Sequence, residues 1–139
     1  MTCGSIITEE STCTTDRAGN KFWRNKAGDL HRLNDKPARI LADGTKVWYV
    51  NGELHRDNDQ PAVIYTDGTH KEWWVDWKQH RINGLPAYIG ANGRQEWWVN
   101  DVDITEQVLA WHKTNNIKYP PTTPEEEGEL AMLFKLTFG

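Results

Sequence analysis

A stretch that repeats itself limits a chain more strongly than composition does. Here the stretch from Asp43 to Ala62, DGTKVWYVNGELHRDNDQPA, returns from Asp67 to Ala87 as DGTHKEWWVDWKQHRINGLPA. A more divergent copy runs from Gly19 to Ala38, and a truncated one from Asn92 to Ile104. His31, His55 and His80 mark the step, 24 and then 25 residues, and Pro37, Pro61 and Pro86 keep it. A unit this short cannot bury a hydrophobic face alone, so neighbouring units stack and the chain forms an array instead of one irregular core.

Local chemistry gives each unit its shape. Lys46 to Val50 is β-branched and aromatic, and Asn51-Gly52 follows, a pair that accepts the positive φ of a type I′ hairpin turn. Glu53 to Arg56 is the expected return strand, Asn58 to Pro61 turns the chain again, and Ala62 to Thr66 is the next strand, leading to a second I′-type turn at Asp67-Gly68. The expected fold is mainly β: a twisted antiparallel β-meander of about 3.5 hairpin units over residues 18–104. Gly44 to Trp48 is one residue shorter than Gly68 to Trp73, which predicts a bulge near Lys71-Glu72; the first unit has its extra residue between Trp23 and His31.

Pairing across Asn51-Gly52 sets Val50 against Glu53, Tyr49 against Leu54 and Trp48 against His55. Opposed residues share a face, and neighbours along a strand alternate. One face then carries Trp23, Trp48, Trp73 and Trp97 with the histidines, and the other carries Tyr49, Trp74 and Trp98 with Arg32, Arg56 and Arg81.

The ends differ from the array. Residues 1–17, rich in Thr, Ser and acids, read as a loosely held lead-in, and residues 105–139 as a helical cap. From Ile104 the apolar residues fall at helical spacing, with Asp103 or Thr105 as the start and Asn115-Asn116 as the stop. Thr123-Pro124-Glu125-Glu126 is a capping box opening a helix to about Lys135, although the alternation of the final residues also suits a strand. Cys3 and Cys13 are either two reduced thiols or a small terminal disulfide, and their spacing is no metal site.

Charge narrows the partners. Sixteen basic residues stand against twenty acidic ones, a net charge of −4, with the array neutral and both ends acidic. That balance argues against nucleic acid and against a polybasic membrane contact. No apolar run suits a membrane helix and no signal sequence leads the chain, so a cytoplasmic protein is expected.

With the aromatic-x-x-Asn-Gly turns and the His-Arg and Pro-Ala pairs in view, residues 18–104 resemble the MORN-like (MORN-variant) repeat proteins. The match is carried by Trp48-Tyr49-Val50-Asn51-Gly52, His55-Arg56 and Pro61-Ala62. Similar tandem units are often met in phages, large DNA viruses and bacteria. The resemblance implies a stack of β-hairpins used as an interaction platform, and a phage- or virus-encoded accessory protein acting in the host cytoplasm.

No nucleophile elbow, Walker loop, zinc spacing or carboxylate dyad is present, so neither an enzyme nor a cofactor is expected. The recurring histidines fall one per unit, too far apart for a common metal, and opposite a tryptophan; their expected role is to pack on that indole and bond to a backbone group. His70 and His112 show no partner. Trp77 stands apart, a bulky indole at the turn position that Gly52 fills one unit earlier, and tryptophan is enriched at interface hot spots. The expected binding face comprises Trp77, Trp74, Trp98, Tyr49, Arg81, Arg56 and Arg32, with a host protein as partner. The alternative is a small anionic, nucleotide- or sugar-like ligand on the same face. The sequence does not fix an oligomeric state.

Overall fold

The structure is a computed structural model and describes residues 11–139. Its strands are short: β1 (Thr12–Thr15), β2 (Lys21–Arg24), β3 (Arg39–Ile40), β4 (Lys46–Val47), β5 (Tyr49–Val50), β6 (Glu53–Leu54), β7 (Val63–Ile64), β8 (Lys71–Glu72), β9 (Trp74–Val75), β10 (Lys78–Gln79), β11 (Tyr88–Ile89), β12 (Gln95–Glu96), β13 (Trp98–Val99) and β14 (Val102–Asp103). Two helices follow, α1 (Thr105–Thr114) and α2 (Pro124–Phe138). The protein is mainly β, as the turn signals require. Eight strands form one antiparallel sheet in the order β1-β2-β3-β4-β7-β8-β11-β12, and β5–β6, β9–β10 and β13–β14 are separate hairpins.

In the second, third and fourth units a tryptophan lies between a strand of the large sheet and a strand of the hairpin. Trp48 lies between β4 and β5; its N–H donates to Ala62 O in the large sheet (2.8 Å), while its carbonyl accepts from His55 N in the hairpin (3.1 Å). Trp23 and Trp73 repeat both bonds with Ala38 and His31, and with Ala87 and His80. One residue therefore belongs to two ladders and the strand bends there, which carries the indole inward. Trp23, Trp48, Trp73 and Trp97 are all buried, and Ala38, Ala62 and Ala87 are fully so. The hairpins also bond to one another: Gly52 N donates to Leu30 O, Trp77 N to Leu54 O and Asp101 N to Gln79 O. Their tips thus form a continuous row along the array.

The turns correct two expectations. Asn51-Gly52 has φ of 49° and 81°, as type I′ demands. Asp67-Gly68 is not type I′: Gly68 alone has positive φ, and Gly68 N bonds to Tyr65 O, a type I turn closed by a left-handed glycine. The extra residue of this unit sits inside that turn rather than at Lys71-Glu72. Tyr65 N reaches His70 O where Leu41 N reaches Thr45 O, and Asp67 Oδ1 accepts from both Thr69 N and His70 N. A turn absorbs a residue without breaking a ladder, so β7–β8 keeps regular register, Val63 against Glu72 and Ile64 against Lys71.

The stretch read as a loose lead-in contains β1, paired with β2 from Thr12–Arg24 to Thr15–Lys21. Cys13, buried within it, is disulfide-bonded, which displaces the reduced-thiol reading; Cys3 lies outside the described residues. In α2, Thr123 caps the first turn through Glu126 N, and the helix continues to Phe138. The strand alternative fails because Leu130 and Phe134, four apart, are buried together on one side of α2. Both helices pack around Trp97, the last indole of the column, with Val108 and Phe134 fully buried against it. The array's final unit thus gains the cover that its predecessors receive from the next unit.

Candidate interaction surface

The His-Arg pairs follow β6 and β10 instead of lying within them, so strand alternation does not govern their arginines. Arg32, Arg56 and Arg81 sit over the indoles of Trp23, Trp48 and Trp73, with guanidinium carbons 3.9, 3.8 and 4.0 Å from the ring centres. They were expected beside the opposite column, Tyr49, Trp74 and Trp98. Each arginine also donates through Nη1 to the carbonyl of Pro37, Pro61 or Pro86. Arg56 grips both oxygens of Asp35, and Arg81 both oxygens of Asp59, the Nε–Oδ1 bond being 2.8 Å in each. That bond holds the Asp35 carboxyl below its usual range. The indoles complete the clamp: Trp48 Nε1 donates to Asp35 O and Trp73 Nε1 to Asp59 O. Arg56 and Arg81 therefore stitch one unit to the previous one and arrive at the surface already neutralised. Asp35 was missed from sequence, although Asn34-Asp35 and Asn58-Asp59 precede their prolines at a constant step.

The histidines perform a second stitch. His31 Nδ1 accepts from Asn51 N (2.9 Å), His55 Nδ1 from Asp76 N (3.1 Å) and His80 Nδ1 from Asn100 N (2.9 Å), each in the next unit's turn. An acceptor nitrogen must be unprotonated. Burial, and then Lys78, lowers the His80 pKa from 6.5. A neutral native histidine that protonates more readily when unfolded stabilises fully above pH 6.5 and loses that contribution as pH falls through the lowered native value. Chemical denaturation should therefore show stability declining below pH 6.5, less so in His80→Asn, whose amide oxygen can still accept. His31→Ala, which removes the most buried of the three acceptors, should cost about 1–3 kcal/mol at neutral pH.

The second aromatic column is more open. Trp74 and Trp98 are half-buried and tied through Nε1 to Glu72 and Glu96, each at 3.0 Å. His70 and His112 do have partners: His70 stacks on Tyr65 at 3.9 Å and His112 on Tyr119 at 4.9 Å. Burial, then the bond donated to Glu72, pushes the Tyr65 hydroxyl up to about 12. A phenol held that high is a poor proton donor at neutral pH.

Trp77 is the exception in the repeat. Asp76 and Trp77 have φ of 49° and 68°, so the turn is type I′ with an indole where Gly52 stands one unit earlier. A bulky residue in left-handed backbone costs about 1–2 kcal/mol. The side chain is nevertheless 52 % exposed, its ring meeting Tyr49 of the preceding hairpin edge-on at 6.2 Å.

Two clefts open between units on this side. One of about 320 Å³ is lined by Arg56, Asp59, Trp74, His80 and Lys135 among others. Its counterpart one unit earlier, about 300 Å³, is lined by Arg32, Asp35, Tyr49, His55 and Arg56 among others. The structure thus gathers Arg32, Arg56, Tyr49 and Trp74 around the clefts, with Trp77 against Tyr49 at the tips, and places Trp98 one unit further along. Among the described residues no helix is long and apolar enough to cross a membrane. No protein-family model, curated protein or solved structure matches this chain.

Proposed function

We propose that the chain is a non-catalytic protein-interaction module built of MORN-like units, and that its contact surface centres on Trp77. The observation that carries this reading is an exposed indole held at a backbone conformation that glycine fills in the sibling turn. Strain retained for a single edge-on ring contact, with the indole left half in solvent, marks a functional position. Single large aromatics ringed by polar residues dominate interface energies. The phage or viral origin, and the binding and inhibition of a host protein in its cytoplasm, rest on the repeat resemblance alone.

Trp77→Gly isolates the surface from the fold. Glycine relieves the turn strain, while loss of the Tyr49 contact removes about 0.5–1.5 kcal/mol, so melting should stay within about 1 kcal/mol of wild type. Capture from a host lysate should retain a stoichiometric protein with the wild-type chain and lose it with Trp77→Gly. Equal capture by both would overturn the surface.

A second reading is favoured by the two inter-unit clefts, which suit a small nucleotide- or sugar-like ligand between an aromatic wall and arginines. Asp35 and Asp59 already occupy the Arg56 and Arg81 guanidinium groups, which weighs against an anion. A small molecule retained in native mass spectrometry, with no captured protein, would favour this reading.

A further inference from the structure

We infer that the row of hairpin tips docks a lysine- and arginine-rich segment of a partner protein. This deepens the interaction-module reading and rests on it.

The tips are geometrically one surface. Each bonds to the return strand of the hairpin before it through Gly52, Trp77 and Asp101 N–H groups, and to the preceding histidine through Asn51, Asp76 and Asn100 N–H groups. Asp29, at the end of the first turn, lies against Gly52 of the second, within 3.3 Å of where a Cβ would stand. The surface is therefore rigid and preformed, which lowers the ordering cost of binding.

Its chemistry departs from that of the array behind it. Residues 21–104 balance to zero, but the four turns and the residues that leave them expose Asp29, Glu53, Asp76, Asp101 and Asp103 against Lys26 and Lys78. That leaves three negative charges on one edge of a chain whose total is −4. Among the described residues, none of the five carboxylates forms a salt bridge with lysine or arginine; Asp76 meets only the His55 ring, at 3.2 Å. By contrast, Asp35, Asp59 and Glu96 are each taken by an arginine. In the middle of the acidic row stand Trp77 and Tyr49, whose ring faces attract cations. Val102, 58 % exposed, adds an apolar contact at the last tip. Asp101 and Asp103 already accept from Gln79 N and from Thr105, and keep their negative charge. Carboxylates without a lysine or arginine partner around an exposed indole suit guanidinium and ammonium groups carried on aliphatic stems. They repel phosphates, acidic helices and a second copy of the same edge.

The test uses the full chain, isotope-labelled, titrated with a short alternating arginine–glycine peptide and, separately, with its glutamate–glycine counterpart. The arginine peptide should shift the Trp77 indole N–H and the amides of residues 52, 76, 77 and 101, while the glutamate peptide shifts none of them. Affinity should fall at least about tenfold on raising salt from low to well above physiological levels. It should fall similarly in Asp76→Lys/Asp101→Lys, measured at a temperature where the variant is fully folded, since lysine suits the two left-handed turn positions less well than aspartate. Absence of binding, shifts centred on the acidic first turn of α2 at Glu125 to Glu127, or full affinity in the double lysine variant would each overturn the inference. If the peptide fails while lysate capture still depends on Trp77, the interaction-module reading stands and only the basic partner falls. If both fail, both fall.

Discussion

Phe134→Ala should lower stability by about 3–5 kcal/mol, the largest loss expected from any single truncation in α2. The ring is fully buried, meets Trp111 edge-on at 6.0 Å and Phe138 at 4.9 Å, and shares a cluster with Trp97 and Val108. In earlier units, the indole is covered by an arginine and by the next unit's strands. The fourth unit lacks both. Ile104 stands in the histidine's place and keeps only the backbone bond, Ile104 N to Trp97 O. The Trp97 N–H, which in its siblings donates to an alanine carbonyl, donates instead to the Thr105 hydroxyl at the start of α1. Helix side chains thus do for Trp97 what a further unit would do. Ending the chain after Asn100 removes all of them, and should give a chain that aggregates and melts without a cooperative transition. Differential scanning calorimetry checks both; a truncated chain that stays monomeric and melts sharply would show the cap to be dispensable.

Gly84→Asp should destabilise by about 1–3 kcal/mol even though it restores the residue that two sibling units carry. Asp35 and Asp59 occupy the matching position with φ of 55°, so aspartate itself is compatible with left-handed backbone there. The obstacle is α2: a Cβ on Gly84 would lie 2.6 Å from Leu130 Cγ, a branch-point carbon that cannot swing aside. Gly84 also keeps its carbonyl for Trp97 Nε1 at 2.8 Å. The cost should therefore be less than additive in Gly84→Asp/Leu130→Ala, because the smaller side chain frees the space. Urea denaturation of the four proteins in the cycle measures this, and strict additivity would show that the backbone, not α2, resists the change.

The sequence by itself determined whatever depends on neighbours along the chain. Asn51-Gly52 dictated a type I′ hairpin and hence the pairing of Tyr49 with Leu54 and Val50 with Glu53, since two residues that accept positive φ leave one cheap way to reverse a strand. Thr123-Pro124 started α2 for equally local reasons, and Trp77 could be placed at a turn tip by counting from Gly52. The tertiary structure decided whatever depends on where a chain goes after leaving its ladder. Arg56 follows β6, so alternation assigned it to Tyr49 and Trp74, while packing laid it on Trp48 and gave it Asp35 of the previous unit. The partners of the histidines lie 20 or 21 residues away, in a turn whose approach exists only once units stack. The extra residue before β8 sits in a turn because a ladder broken at Lys71-Glu72 would lose bonds to two strands, and a lengthened turn loses none. Leu130 against Gly84 was equally invisible, because a helix that follows a proline-rich linker can dock in many directions, and only shape complementarity at the last unit selects one.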